Sequence, residues 1–176
     1  MGMAMRKTIA QVMSGGAVLA ALATPALAQN SATATASATT TIIQPISISK
    51  STDLAFGTIV KPASGTSTIS VNSAGVRSIT GNAVATNASG VSRALFNVTG
   101  EGASVFSISV PASFSMSSGS NSLVVTTSAS AASATLSGPV GSQGSATFGV
   151  GGSFLLASNT ASGAYSGNFV VTVTYN

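Results

Sequence analysis

The chain has 176 residues, of which six are Lys or Arg, two are Asp or Glu, and none is His or Cys. With no imidazole, no thiol and only Asp53 and Glu101 as acids, it lacks the base of a serine triad, the ligands of a transition-metal site and the clustered carboxylates of a calcium site. The formal charge is +4, but Lys50, Lys61, Arg77 and Arg93 are scattered without interleaved aromatics, which excludes a nucleic-acid surface.

In chain order, residues 1–28 read as a secretory signal peptide. Arg6 and Lys7 form its basic start, "GGAVLAALATPALA" its short apolar stretch, and Ala26-Leu27-Ala28 a small-x-small cleavage site that makes Gln29 the mature N-terminus. The apolar stretch is short and interrupted by Gly15, Gly16 and Pro25, so no membrane span is expected in the mature chain. Without Cys there is neither a lipid anchor nor a disulfide staple. The expected route is export to the periplasm and then to the cell surface or medium.

Residues 29–41 form a low-complexity arm, "NSATATASATTT" from Asn30 to Thr41, in which Ala34, Ala36 and Ala38 alternate with Ser and Thr. One reading is a flexible tail. The other is an extended donor strand awaiting a groove for small side chains, its parity carried on by Ile42, Ile46 and Ile48.

Residues 42–176 are expected to form a single domain of about seven to nine short strands. "TIIQPISIS", "DLAFGTIV", "TSTISV", "RALFNVTG", "SVFSISV", "NSLVVTTS" and "SATFGVGGSFLLAS" each bring apolar residues to one face at period two. Between them "KPASG", "NSAG", "NASG", "GEGAS", "SSGSN" and "SGPVGSQG" carry turn chemistry. No mature segment holds a 3.6-residue apolar period. The expected class is therefore all-β, with Phe56, Phe96, Phe106, Phe148, Phe154 and Phe169 as core anchors. Gly149–Phe154, "GVGGSF", lacks the Lys and the following helix of a phosphate loop and reads as a bend or bulge. Asp53 and Glu101 both sit in turn-like contexts, where carboxylates are solvated or cap backbone amides. No cofactor, metal or enzymatic activity is expected.

The chain closes on "YSGNFVVTVTYN". Phe169, Val171, Val173 and Tyr175 point one way; Val170, Thr172, Thr174 and Asn176 point the other. An outer-membrane barrel requires longer strands and aromatic girdles than this chain supplies. Ice-binding and glycan-binding sandwiches require more threonine ranks or aromatic platforms. A strand with one apolar face serves either as the last strand of a complete sandwich or as an edge for β-augmentation by a partner.

The ending is similar to that of pilin subunits of chaperone–usher fimbriae, including the archaic spore-coat-protein-U type. Tyr175 is penultimate, Gly163 is fourteenth from the end, and Phe169, Val171 and Val173 take the alternating apolar positions. "PISISKSTDLAFGTI", "ALFNVTGEGASVFSISV", "VGGSFLLAS" and "GAYSGNFVVTVTYN" resemble the secreted bacterial family called domain of unknown function 4402. What the resemblance implies is an immunoglobulin-like, pilin-like β-sandwich lacking one strand. A periplasmic chaperone lends that strand, and at the outer-membrane usher a neighbouring copy or related subunit replaces it by donor-strand exchange. The implied partner-binding residues are Gly163, Phe169, Val171, Val173, Tyr175 and Asn176. The implied function is that of a structural, non-enzymatic fimbrial subunit; the alternative is a self-contained secreted or cell-surface β-sandwich with a binding or adhesive role.

Overall fold

The computed structural model describes residues 31–87 and 89–176. The expected signal peptide and the first arm residues lie outside the described residues. The chain divides into two units, Met1–Thr39 and Thr40–Asn176. In the first, Ser31–Thr39 form no strand. The second carries every described strand.

In chain order these are β1 (Ser47–Thr52), β2 (Ala55–Phe56), β3 (Ile59–Val60), β4 (Thr66–Val71), β5 (Arg77–Thr80), β6 (Val84–Ala85) and β7 (Val91–Ser92). They continue with β8 (Ala94–Glu101), β9 (Val105–Ser109), β10 (Ser113–Ser118), β11 (Asn121–Ala129), β12 (Ser133–Thr135), β13 (Gln143–Ala157) and β14 (Thr172–Tyr175). All pairings are antiparallel, and no helix occurs among the described residues. The protein is all-β, as the period-two pattern predicts. The count of fourteen exceeds the expected seven to nine partly because two ribbons, β2–β7 and β3–β6, are built from two-residue strands. Strands so short carry too little alternation to stand out from the turn-rich sequence around them.

The main sheet has the order β1-β8-β13-β11-β10, with β4 pairing β13 and β5 pairing β4. A second sheet has the order β12-β9-β14. β13 is the spine of the main sheet. Gln143–Val150 pair with β8 and Gly152–Ala157 pair with β4. Here the structure corrects the reading of "GVGGSF" as a bend or bulge between two strands: one strand runs on for 15 residues, and what changes is its partner. The glycines permit that change. A Cβ on Gly151 would stand 2.2 Å from the Val71 carbonyl oxygen, and one on Gly149 would stand 2.3 Å from that of Ser73. Both obstacles are backbone and cannot rotate aside. We expect Gly151→Ala to destabilise the domain by about 2–4 kcal/mol, measurable as a lowered urea midpoint; an unchanged midpoint would show that the β4–β13 crossing is loose.

Two apolar clusters fill the interior. One joins Ala94, Phe96 and Val98 of β8, Phe106 and Ile108 of β9, Leu136, and Phe148 and Val150 of β13. It lies between the main sheet and the second sheet. The other joins Phe56, Ile69, Val71, Ala83, Val125, Phe154 and Leu156. Both draw on even-numbered residues of β13, so one strand face serves both clusters. Five of the six anticipated phenylalanines are buried, while Phe169 is half-buried. Phe114, not anticipated, packs on Phe169 with ring centroids 4.9 Å apart and the rings tilted by 31°. Burying a Phe or Leu contributes up to about 1.5–3 kcal/mol each, so these clusters carry most of the stability of a chain without disulfides.

Candidate functional site

The C-terminal segment gives the candidate site its framework. After β13 the chain runs along β10, where Ser117 and Ser166 exchange both backbone hydrogen bonds, at 2.8 and 3.1 Å. Gly167 makes that approach possible, since a Cβ there would stand 2.1 Å from the Ser115 carbonyl oxygen. Gly163, the glycine singled out by position, meets only the Ser118 hydroxyl, which can rotate away. The close approach therefore rests on Gly167, which the sequence reading passed over.

The chain then crosses from the main sheet to the second. Phe169 packs on Phe114 and lies 6.5 Å from the Phe96 ring. The ladder begins only at Thr172, where β14 pairs with β9. Alternation still holds across the crossing. Phe169, Val171, Val173 and Tyr175 all pack against the first apolar cluster, whereas Val170 is 77% exposed.

The register defines a free edge. The Asn176 amide donates to the Val105 carbonyl at 3.1 Å. In an antiparallel ladder the residues exchanging bonds alternate. Thr172, Thr174 and Asn176 therefore direct their main-chain groups toward β9, and Val171, Val173 and Tyr175 direct theirs away from it. β9 is the sole ladder partner of β14 among the described residues. Asn176 also accepts a hydrogen bond from the Ser107 hydroxyl through its side chain.

Tyr175 does more than fill the core. Its hydroxyl accepts from the Glu101 amide at 2.7 Å and donates to the Gln44 carbonyl at 2.9 Å. Glu101 itself is 2% exposed, so of the two roles expected of a carboxylate in such a turn, solvated or capping, the solvated one is excluded. Its carboxylate accepts from the Gln44 amide at 3.1 Å and from the Gly141 amide. The capping role anticipated for such a carboxylate is thus met, but in a buried setting. Burial is possible because both neighbours are glycines. A Cβ on Gly100 would stand 2.2 Å from the Tyr175 hydroxyl, and one on Gly102 would stand 2.3 Å from the Pro139 carbonyl. The result is a clasp joining the entry to β1, the end of β8, the 138–142 turn and the end of β14.

Removing the hydroxyl alone, Tyr175→Phe, leaves the Glu101 amide without its acceptor. We expect a loss of about 1–3 kcal/mol, with faster hydrogen exchange at Glu101 than at Phe106; equal exchange at both in wild type and variant would dissolve the clasp.

The candidate arm residues are divided. Ile46 and Ile48 pack on the chain's own first cluster, and Ile48 pairs with Val98 across the β1–β8 ladder. Ile42 is 89% exposed. Ala34, Ala36 and Ala38 belong to the segment without strand. Ile46 and Ile48, next to and within β1, join their own domain, where a buried isoleucine gains far more than a buried alanine, while Ile42 stays outside it. The cations are engaged elsewhere: Arg77 donates to the carbonyls of Phe56 and Asn87, Arg93 to that of Ser73, and Lys50 pairs with Asp53 on the surface.

Fold and site together define an all-β domain of antiparallel sheets in which β14, like the edge strands β1, β5 and β12, has a ladder partner on one side only, and β14 lies beside the first apolar cluster. The chain belongs to the family described as domain of unknown function (DUF4402), whose model matches residues 46–175. Comparison with curated proteins and with solved structures finds no match.

Proposed function

We propose that this chain is a non-enzymatic structural subunit of a surface fimbria, exported through a signal peptide and assembled by strand addition at the β14 edge. The observation that carries the reading is that open edge. In an immunoglobulin constant-type domain, strands A, B, E and D form one sheet and C, F and G the other. The order β1-β8-β13-β11 corresponds to A-B-E-D, and β9-β14 corresponds to C-F. G, which would pair with the free edge of β14, has no counterpart among the described residues. A periplasmic chaperone, an outer-membrane usher and neighbouring copies of the chain are the partners this mechanism requires. The donor is the segment that ends before β1, with Ala34, Ala36, Ala38 and Ile42 on one parity.

The test uses a synthetic peptide covering residues 31–43 added to the purified chain, with amide exchange followed residue by residue. Strand addition protects the amides of Val173 and Tyr175, which point away from β9, and leaves Thr174 unchanged. Absence of protection at saturating peptide would overturn donor-strand exchange between copies.

A second reading is a self-contained secreted or cell-surface β-sandwich with a binding role. Two observations favour it: Ile46 and Ile48 already lie in their own core, and Tyr175 is engaged by Gln44 and Glu101 rather than free for a partner.

A further inference from the structure

We infer that the second apolar cluster opens into a binding site for a single-chain amphiphile with an anionic head, of the fatty-carboxylate class, independent of strand addition at β14. A half-open cavity of about 610 Å³ lies over this cluster, within the size range of small-molecule sites. Its apolar walls include Leu54, Phe56, Ile59, Met116, Leu123 and Phe154. Its roof is the run Thr160–Tyr165, whose side chains are small until Tyr165.

The roof is fixed at its ends and unpaired between them. Thr160 closes a turn onto Ala157, and Ser166 bonds Ser117. Ala161 to Tyr165 make no main-chain to main-chain hydrogen bond among the described residues. The roof can therefore shift to admit a chain without breaking a ladder.

Charge selects the head group. Lys61 is the one charged residue lining the cavity. It donates a single hydrogen bond, to the Thr160 carbonyl at 3.0 Å, which leaves ammonium protons free. Both acids are committed elsewhere, Asp53 to Lys50 and Glu101 to the Gln44 and Gly141 amides. A carboxylate at the mouth thus meets a cation without a competing carboxylate, while an acyl chain covers the aromatic and aliphatic wall. A cationic amphiphile meets repulsion at the same point. Thr58, Ser162 and the Tyr165 phenol, which donates to the Ala161 carbonyl, complete the polar rim.

The experiment titrates the purified chain with 11-(dansylamino)undecanoate and displaces it with dodecanoate or dodecanol. We expect one probe per chain and displacement by dodecanoate at about tenfold lower concentration than by dodecanol, the effect of one charge-assisted hydrogen bond. Lys61→Gln, at an exposed position, removes that preference. Ala164→Trp, in the unpaired roof, fills the cavity and abolishes probe binding while the circular dichroism spectrum is kept. Equal displacement by acid and alcohol in the wild type overturns the proposal, as does probe binding that survives Ala164→Trp, because the dye then sits elsewhere on the surface.

Discussion

Replacing Val173 by aspartate is expected to remove about 3–5 kcal/mol of stability, a large part of what a domain of this size possesses. Val173 is half-buried against the first cluster and pairs with Ile108 of β9. A carboxylate there has no cation within the cluster to pair with, so the cost combines lost packing with desolvation. The control is one residue away. Thr174 lies on the opposite face and is exposed, so Thr174→Asp should change stability by no more than about 0.5 kcal/mol. Urea unfolding of the two variants side by side measures the asymmetry. Similar losses for both would mean that the inward face of β14 is not fixed against the core.

The second large effect belongs to Glu101. Glu101→Ala leaves two amides, Gln44 and Gly141, without their acceptor, at about 1–3 kcal/mol each. Glu101→Gln resembles the wild type in shape but is not conservative. One of the two amides then faces a donor instead of an oxygen, so about half of the loss should persist. The local signature is faster amide exchange at Gln44 and Gly141, with Ile69 in the second cluster unaffected until global unfolding. Wild-type stability in Glu101→Ala would show that the clasp is held by Tyr175 alone.

These two sites differ in how far the sequence discloses them. The inward face of the closing segment is legible, because alternation from Phe169 to Tyr175 is a property of the chain and survives even where Phe169 and Val171 lie outside the ladder. Glu101 is not legible as a buried group. "TGEGAS" has the composition of a solvated turn, and what buries the carboxylate is the arrival of residues 44, 141 and 175 from distant parts of the chain. The flanking pair Gly100 and Gly102 is the one local signal, since glycine on both sides of an acid allows close approach of other backbone. Gly167 is similar. Its need appears only once β10 lies alongside it.

The sequence by itself determines that this protein is all-β, because period-two apolar runs between Gly, Ser and Asn turns leave no helical face to bury. It also marks five phenylalanines of the core, Phe56, Phe96, Phe106, Phe148 and Phe154, whereas the part played by Phe114 emerges only in the structure. The tertiary structure decides the rest. It makes β13 one continuous strand, because the change of partner from β8 to β4 depends on how closely Val71 and Ser73 approach its glycines. It draws Ile46 and Ile48 onto their own core, because their burial is worth more than that of the alanines before them. And it leaves β14 with a free edge, because strand order is set by pairings between residues far apart in the chain, which no local pattern encodes.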